Sequence, residues 1–204
     1  MNSNGAVGVL AIQGSVIEHA RALKKLGADV REVRLPEHLD GVAGLIIPGG
    51  ESTTIGKLSV RFGLFEPIRE RASQGMALWG TCAGLILMAK DLGESKQPTL
   101  GLLDARVTRN AFGAQLDSFE TDLNISAFAG GPFHAVFIRA PVIESVGEGV
   151  QILARLKGGR IVAAREENLL CTAFHPELTD DMRFHQYFLD MVGATRLRTA
   201  MKSG

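Results

Sequence analysis

A cysteine between two glycines is the most chemically suggestive feature of this sequence. A short apolar run over 76–79 is followed by Gly80-Thr81-Cys82-Ala83-Gly84 and a second apolar segment over 85–88. This order predicts a strand, a sharp turn at Cys82 and a helix, and glycine tolerates the crowding of such a turn. Backbone N–H groups and partial positive charge at a helix start favour a thiolate. Cys82 is therefore a candidate nucleophile, although glycines around a buried structural cysteine give the same pattern.

A histidine and a glutamate follow another apolar run, over 168–174, as His175-Pro176-Glu177. Proline disfavours helical geometry at His175, and alternate residues of an extended segment share one face. Glu177 can then accept the Nδ1 proton of His175, which leaves Nε2 to serve Cys82 as base and later as acid. The alternative is a surface turn in which the glutamate caps the next helix.

A third apolar run, over 44–47, ends at Pro48-Gly49-Gly50-Glu51-Ser52. The backbone N–H groups of Gly50 and Ala83 are suited to hold the oxyanion of a tetrahedral intermediate. A glycine turn without a ligand, or a phosphate cradle, also fits, but neither of the common nucleotide-binding glycine patterns is present. Because the carboxyl ends of parallel strands meet at one edge of a sheet, the three segments can converge. Together they predict acyl transfer through a Cys82 thioester.

The elements that must position these residues alternate between strand and helix in the first half of the chain. The pattern predicts an α/β fold with an open, mostly parallel sheet flanked by helices on both faces. Predicted strands lie at 6–12, 30–33, 44–47 and 76–79, and predicted helices at 16–26 and 64–73. Over 105–155 the segments 105–109, 135–139 and 150–156 predict additional, partly antiparallel strands inserted on the side of the sheet.

The last part of the chain predicts a hairpin at Gly158-Gly159, a strand over 168–174 and a final helix over 181–192. The polar, basic tail over 193–204 lacks apolar periodicity, so we expect it to be frayed. No linker or repeat interrupts the sequence. We therefore expect one domain over 1–204.

Composition excludes several function classes. The 204 residues are 46% hydrophobic, and 22 Lys and Arg balance 22 Asp and Glu, which predicts a soluble domain that binds neither nucleic acid nor a membrane. Two cysteines cannot form a disulfide framework, and no signal peptide is evident, so we expect a cytoplasmic protein. The chain lacks zinc-ligand spacing, and we expect neither a metal nor a cofactor. Cys171 is expected to be a core thiol, and His19, His38, His134 and His185 have no acidic partner at a catalytic spacing.

The motifs resemble those of class I, triad-type glutamine amidotransferases, and among these the glutaminase subunits of pyridoxal 5'-phosphate synthases. Most other triad amidotransferases have G-[IV]-C-L-G around the cysteine. Thr81 and Ala83 differ from that pattern and resemble the residues of this subfamily. The segments that carry the resemblance are 8–14, 48–54, 80–84, 109–113, 117–120, 137–141 and 174–179.

The resemblance implies a flavodoxin-like fold and hydrolysis of L-glutamine to glutamate and ammonia by Cys82, His175 and Glu177. Ammonia would pass to a separate synthase subunit that builds pyridoxal 5'-phosphate from a pentose phosphate and a triose phosphate. The glutamine-binding residues that the resemblance implies are Gly50, Glu51, Ser52, Arg109, Ile138 and Arg139.

Several alternatives remain open at this point. Arg109 and Arg139 can be surface ends of strands, and Glu51 can merely precede a helix that Ser52 or Thr53 caps. The protein can also be another triad amidotransferase, a cysteine amide hydrolase, or a non-catalytic binding subunit that keeps the fold.

Overall fold

The computed structural model describes residues 5–109 and 118–202. Most of the motif at 109–113 and the first residue of the motif at 117–120 lie outside these ranges. The strands are β1 (Ala6–Leu10), β2 (Val30–Val33), β3 (Val42–Ile47), β4 (Ala77–Thr81), β5 (Ala89–Asp91), β6 (Leu103–Thr108), β7 (Ser118–Leu123), β8 (Phe133–Ile138), β9 (Val142–Val146), β10 (Gln151–Arg155), β11 (Ile161–Glu166) and β12 (Leu169–Thr172). The helices are α1 (Val16–Lys25), α2 (Ser52–Arg61), α3 (Phe65–Ser73), α4 (Ala83–Met88) and α5 (Arg183–Lys202).

Five parallel strands in the order β2-β1-β3-β4-β12 form the half of the sheet that carries the predicted strand ends. This is the 2-1-3-4-5 order of flavodoxin-like sheets, with β12 in the fifth place. Most residues of these strands are buried, which explains their continuous apolar runs. The predicted α/β fold is confirmed, and β3, β4 and β12 lie side by side.

Helices cover both faces of this half, as predicted. Trp79 of β4 packs against Phe184 and Phe188 of α5, whereas the next residue, Gly80, faces α4 at Gly84. Successive residues of a strand point to opposite faces, so α5 and α4 lie on opposite sides of the sheet. Within the described residues no helix combines the length and apolarity that a membrane span needs.

The other half of the sheet is mainly antiparallel, in the order β12-β11-β9-β6, with β10 beside β11 and β5 parallel to β6 at the edge. The predicted hairpin at Gly158-Gly159 joins β10 to β11. Segment 135–139, predicted as an additional strand, falls in β8 as far as Ile138, and β8 pairs antiparallel with β7 in a separate two-stranded sheet. Its alternating burial fits any sheet with one covered face, so alternation alone could not assign it.

The last helix also differs from its prediction, because α5 continues past Val192 to Lys202. Gly193 does not end it, since one glycine inside a helix costs only about 1 kcal/mol. Thr195 is buried, and its hydroxyl donates to the carbonyl of Met191. The tail expected to be frayed is thus helical up to Lys202.

Candidate active site

Cys82 lies in a strained turn between β4 and α4. Its φ of 47° and ψ of −100° place a non-glycine residue in a region that L-amino acids rarely adopt. The flanking glycines make the turn possible: a Cβ on Gly84 would overlap the carbonyl oxygen of Ile47, and a Cβ on Gly80 would overlap Gly84. Because α4 has only six residues, its dipole is small, and the N–H of Ala83 at its start is the group next to the sulfur.

The predicted base lies at the end of the neighbouring strand. Thr81 pairs with Thr172 in the register of β4 and β12, so both chains leave the sheet together towards Cys82 and His175. The N–H of His175 donates to the carbonyl of Val136 in β8, at 2.9 Å. Gly49 packs against the same ring, because a Cβ there would lie 3.0 Å from Nδ1 of His175 and 3.4 Å from Cβ of Cys82. The three strand ends therefore meet as the sequence indicated.

His175 and Glu177 form a buried pair, with Nδ1 of His175 2.7 Å from Oε1 of Glu177. The carboxylate follows within a 3-10 turn over Pro176–Leu178, where proline occupies the first position. Nε2 of His175 is left for Cys82. This is the arrangement of a nucleophile, a base and a carboxylate that orients the base.

Hydrogen bonds and charges of the neighbouring side chains outweigh the effect of burial on His175 and Glu177. Burial lowers the pKa of His175, but Cys82 and Glu177 beside it raise that pKa to about 10. Burial likewise raises the pKa of Glu177, but His19 and His175 lower it to about 2. The pair is therefore an imidazolium and a carboxylate at neutral pH.

A cavity of about 420 Å³ opens above Cys82 and has room for a small molecule. The sequence-predicted site residues line it, except Glu177, which is buried behind His175, and residues without a predicted role line it as well. The lining includes Gln13, Ser15, Glu18, Gly49, Gly50, Glu51, Ser52, Cys82, Ala83, Arg109, Ile138, Arg139, His175 and Leu178. Among the described residues no group of histidine, cysteine and acidic side chains is arranged to hold a metal ion.

Glu51 caps α2 at the floor of the cavity. Its Oε2 accepts from the N–H of Thr54 at 2.8 Å, so Glu51 itself is the N-cap, and the alternative that Ser52 or Thr53 caps this helix was wrong. Burial raises the pKa of Glu51, but the hydrogen bonds at the helix start and the charge of Arg109 hold it below its usual value. Glu51 therefore presents a negative charge to the cavity.

Arg109, just after β6, reaches across to Glu51, with Nη2 3.1 Å from Oε1. Its Nη1 donates to Oε1 of Gln97 at 3.0 Å, and the Ser52 hydroxyl donates to the same oxygen at 3.1 Å. Its Nη1 also donates to the hydroxyl of Thr53 at 3.1 Å, so three partners hold Arg109 at the cavity and it does not lie free at a strand end. Gln97, which the sequence analysis missed, joins Arg109 to the start of α2.

Residues at the end of β8 close the opposite wall. The carbonyl oxygen of Ile138 lies 3.8 Å from Sγ of Cys82. Arg139 has a φ of 43°, a second strained backbone conformation beside the cavity. Such strain clusters at binding and catalytic sites, where the surrounding structure compensates for it. The separate β7–β8 sheet thus contributes to the site.

The first strand also reaches the site, through a residue with no predicted role. Oε1 of Gln13 accepts from the N–H of Glu51 at 2.8 Å, and the N–H of Ser15 donates to the carbonyl of Gly49 at 3.1 Å. These bonds join the β1–α1 turn to the Gly49-Gly50 turn. The adjacency of β1 and β3 in the sheet explains them, and no local pattern could have predicted them.

The second cysteine and the remaining histidines lie apart from the nucleophile. Cys171 is fully buried within β12, and burial raises its thiol pKa to about 12, as expected of a core thiol. His134 is exposed between two carboxylates. His19 and His185 are buried behind Glu177 and contact each other, which the sequence did not predict.

Comparisons with known proteins agree with this geometry. The model of the SNO glutamine amidotransferase family matches residues 9–194. The chain is 61% identical over 188 residues to the pyridoxal 5'-phosphate synthase subunit PdxT of Herpetosiphon aurantiacus, covering 91% of this chain and 99% of that protein. It is 57% identical to the protein of the same name from Moorella thermoacetica, covering 92% and 99%.

A solved structure described as a glutamine amidotransferase matches with a TM-score of 0.88 and 54% identity, covering 93% of this chain and all of that one. A more distant structure, that of PurLQS from Thermotoga maritima, shares the fold with a TM-score of 0.61 at 19% identity, over 97% of each chain. The chain therefore belongs to the SNO glutamine amidotransferase family.

Proposed function

We propose that this protein hydrolyses L-glutamine through a Cys82 thioester and delivers the ammonia to a synthase subunit that makes pyridoxal 5'-phosphate. The observation that carries the proposal is the meeting of Cys82, His175 and Glu177 at one end of a small-molecule cavity. Membership of a glutamine amidotransferase family supports the substrate. The names of the relatives, which are subunits of pyridoxal 5'-phosphate synthases, support the partner.

The proposed reaction begins with attack by Cys82 on the side-chain amide carbon of glutamine. A protonated His175 beside the sulfur stabilises the thiolate, and the N–H groups of Ala83 and Gly50 take the negative charge that forms on the amide oxygen. His175 then gives its proton to the departing nitrogen, so ammonia leaves and a thioester remains. A water deprotonated by His175 attacks the thioester, which releases glutamate and returns the proton to the thiol.

The charges around the cavity suit the two ends of an amino acid. Arg109 and Arg139 complement the α-carboxylate, and Glu51 complements the α-ammonium group. Ser52 and Ile138 complete the proposed glutamine site at its wall. The cytoplasm is the proposed location, which the free state of both cysteines supports.

Replacement of the nucleophile tests this function. In a complex reconstituted with the synthase subunit, Cys82→Ala is expected to abolish glutamate release from glutamine, while ammonium chloride still supports pyridoxal 5'-phosphate formation. Cys171→Ala is the matched control, because its thiol lies in the core away from the cavity. Glutaminase activity retained by Cys82→Ala would overturn the thioester mechanism.

Two further measurements separate the alternatives. Stimulation of ammonia release by a pyridoxal 5'-phosphate synthase subunit, and not by the synthase subunits of other amidotransferases, supports the proposed partner; the reverse contradicts it. A glutamine analogue with an electrophilic ketone in place of the amide is expected to label Cys82 and not Cys171. Absence of labelling would favour a non-catalytic binding subunit.

A further inference from the structure

A pair of histidines lies in the interior beside Glu177. His19 comes from α1 and His185 from α5, both side chains are fully buried, and Nδ1 of His19 lies 3.0 Å from Nε2 of His185. Both rings pack on the indole of Trp79, with centroids 5.5 and 5.0 Å from it. Buried polar rings are costly unless they have hydrogen-bond partners, and these two rings are partners of each other.

The second oxygen of Glu177 faces this pair. Oε1 of Glu177 is held by His175, but Oε2 is buried and has no hydrogen bond from the described residues. Nε2 of His19 lies 3.4 Å from Oε2 and 3.2 Å from the hydroxyl of Thr81. A small rotation of either side chain turns this contact into a hydrogen bond, and His19 is thus the group placed to hold the free oxygen.

Burial and charge decide where the protons lie. Burial lowers the pKa of His19 although the charge of Glu177 opposes this shift, and burial lowers the pKa of His185 to about 3, so both rings are neutral at pH 7. With its proton on Nε2, His19 has an N–H beside both the Thr81 hydroxyl, to which it is now hydrogen-bonded, and Oε2 of Glu177, and its Nδ1 accepts from Nε2 of His185. The opposite arrangement would turn a lone pair towards Oε2 and place the proton of His185 on Nδ1, which has no partner among the described residues.

We propose that His19 is a positioning residue that donates from Nε2 to Oε2 of Glu177 and so fixes the carboxylate that orients His175. His185 supports it by holding the tautomer of His19. This proposal rests on the glutaminase function proposed above. It extends the line of contacts from Cys82 through His175 and Glu177 into the core, where α1 and α5 meet.

The test compares three replacements of His19 in the reconstituted complex. Gln places an amide N–H near the position of Nε2, Asn places it near Nδ1, and Leu removes it. His19→Leu is expected to lower kcat for glutamine hydrolysis about tenfold to a hundredfold with KM nearly unchanged, as expected when a charged group loses one hydrogen bond. The acid limb of its pH profile is expected to move to higher pH by about one unit, because loss of the hydrogen bond makes the Glu177 carboxylate easier to protonate.

Partial recovery of kcat by His19→Gln, and not by His19→Asn, is the result that separates positioning from packing. His38→Gln, at a partly exposed position, is the matched control and is expected to keep the activity of the unsubstituted protein. Thermal unfolding establishes that each variant is folded. If His19→Leu does not fold, the comparison of His19→Gln with His19→Asn is sufficient to separate positioning from packing.

Wild-type kcat in His19→Leu, equal activity of the Gln and Asn variants, or a change in KM alone would overturn the proposal. A readout without turnover keeps it distinct from the proposed function. The downfield proton resonance of the His175 N–H bonded to Glu177 is expected in the unsubstituted protein and in His19→Gln, and is expected to be lost in His19→Leu. A protein without glutaminase activity that shows this pattern would contradict the function and support the positioning role; a resonance unchanged in His19→Leu would contradict the positioning role.

Discussion

His175 and His134 both lie within hydrogen-bond distance of carboxylate oxygens, but one lies inside the protein and the other on its surface. Nδ1 of His175 is 2.7 Å from Glu177, and its side chain is 7% exposed. The nitrogens of His134 lie 2.8 Å from Glu120 and 3.0 Å from Asp122, and its side chain is 52% exposed. The strand register explains the contact between His134 and Asp122, because Asp122 on β7 lies directly opposite His134 on β8.

The difference shows which features make a histidine useful for catalysis. Hydrogen bonds to Glu120 and Asp122 raise the pKa of His134, but they occupy both of its ring nitrogens. His175 has one nitrogen on Glu177 and keeps the other for Cys82, and its side chain is largely buried. A carboxylate partner alone therefore does not identify a base. A free nitrogen beside a reacting atom is also needed.

Replacement of each histidine by glutamine is the strongest test of this contrast. His175→Gln is expected to lower glutaminase kcat by about ten-thousandfold, because neither the thiolate nor the leaving nitrogen then has a proton partner. His134→Gln is expected to stay within about twofold of the unsubstituted protein. Steady-state assay of glutamate release in the reconstituted complex measures both. Comparable losses in the two variants would show that burial is not the deciding feature.

The carboxylates give the next largest difference. Glu177→Gln is expected to lower kcat about a thousandfold, because the amide no longer fixes the tautomer and charge of His175. The pKa of His175 is about 10, above its ordinary value of 6.5, so the imidazolium persists until the pH approaches 10. Without Glu177 this pKa falls, and the alkaline limb of the activity profile is expected to move to lower pH. Glu120→Gln is the control, and an alkaline limb that stays in place in Glu177→Gln would contradict the charge pairing.

The residues of the buried site could be predicted because the sequence around each of them carries a local signal. Cys82, His175 and Gly50 each follow an apolar run that ends in a residue with a marked backbone preference, so three strand ends were visible in the sequence. The parallel sheet then brings them together. The roles proposed for these residues remain predictions, because the geometry places them and only an activity assay tests them.

What the sequence could not reveal depends on contacts between distant elements. His19 has no acidic residue at a catalytic spacing, since Glu177 reaches it only after β12 takes its place beside β4 and α1 folds back over the sheet. Gln13 meets Glu51 for the same reason. The helix beyond Val192 was missed because packing of Thr195 outweighs a local glycine.

A methyl group added at Gly49 tests how closely the His175–Glu177 pair is held. A Cβ on Gly49 would overlap the His175 ring, so Gly49→Ala is expected to displace the base and lower kcat about a hundredfold. Gly149→Ala is the matched control, because a Cβ there has open space around it and the backbone has no unusual φ. Glutamate release and thermal unfolding are measured for both. Full activity in Gly49→Ala would mean that the base tolerates movement.

Salt gives the smallest and most discriminating effect, because charges in water are screened and buried charges are not. Titration of the imidazole NMR resonances is expected to show the His134 pKa above 6.5 at low salt and moving back towards 6.5 in about 1 M NaCl, where the Debye length is about 3 Å. The His175 pKa is expected to change little over the same range, since Glu177 is in direct contact and shielded from solvent.

Because the His134 pKa is raised on folding, the stabilising effect of its protonation is present below pH 6.5 and is lost as the pH rises through the raised pKa. The double variant Glu120→Gln/Asp122→Asn should remove both the raised pKa and its salt dependence. A His134 pKa that does not change with salt, or a His175 pKa that does, would contradict this expectation. Direct contact with a carboxylate would then govern both histidines, and burial would not separate them.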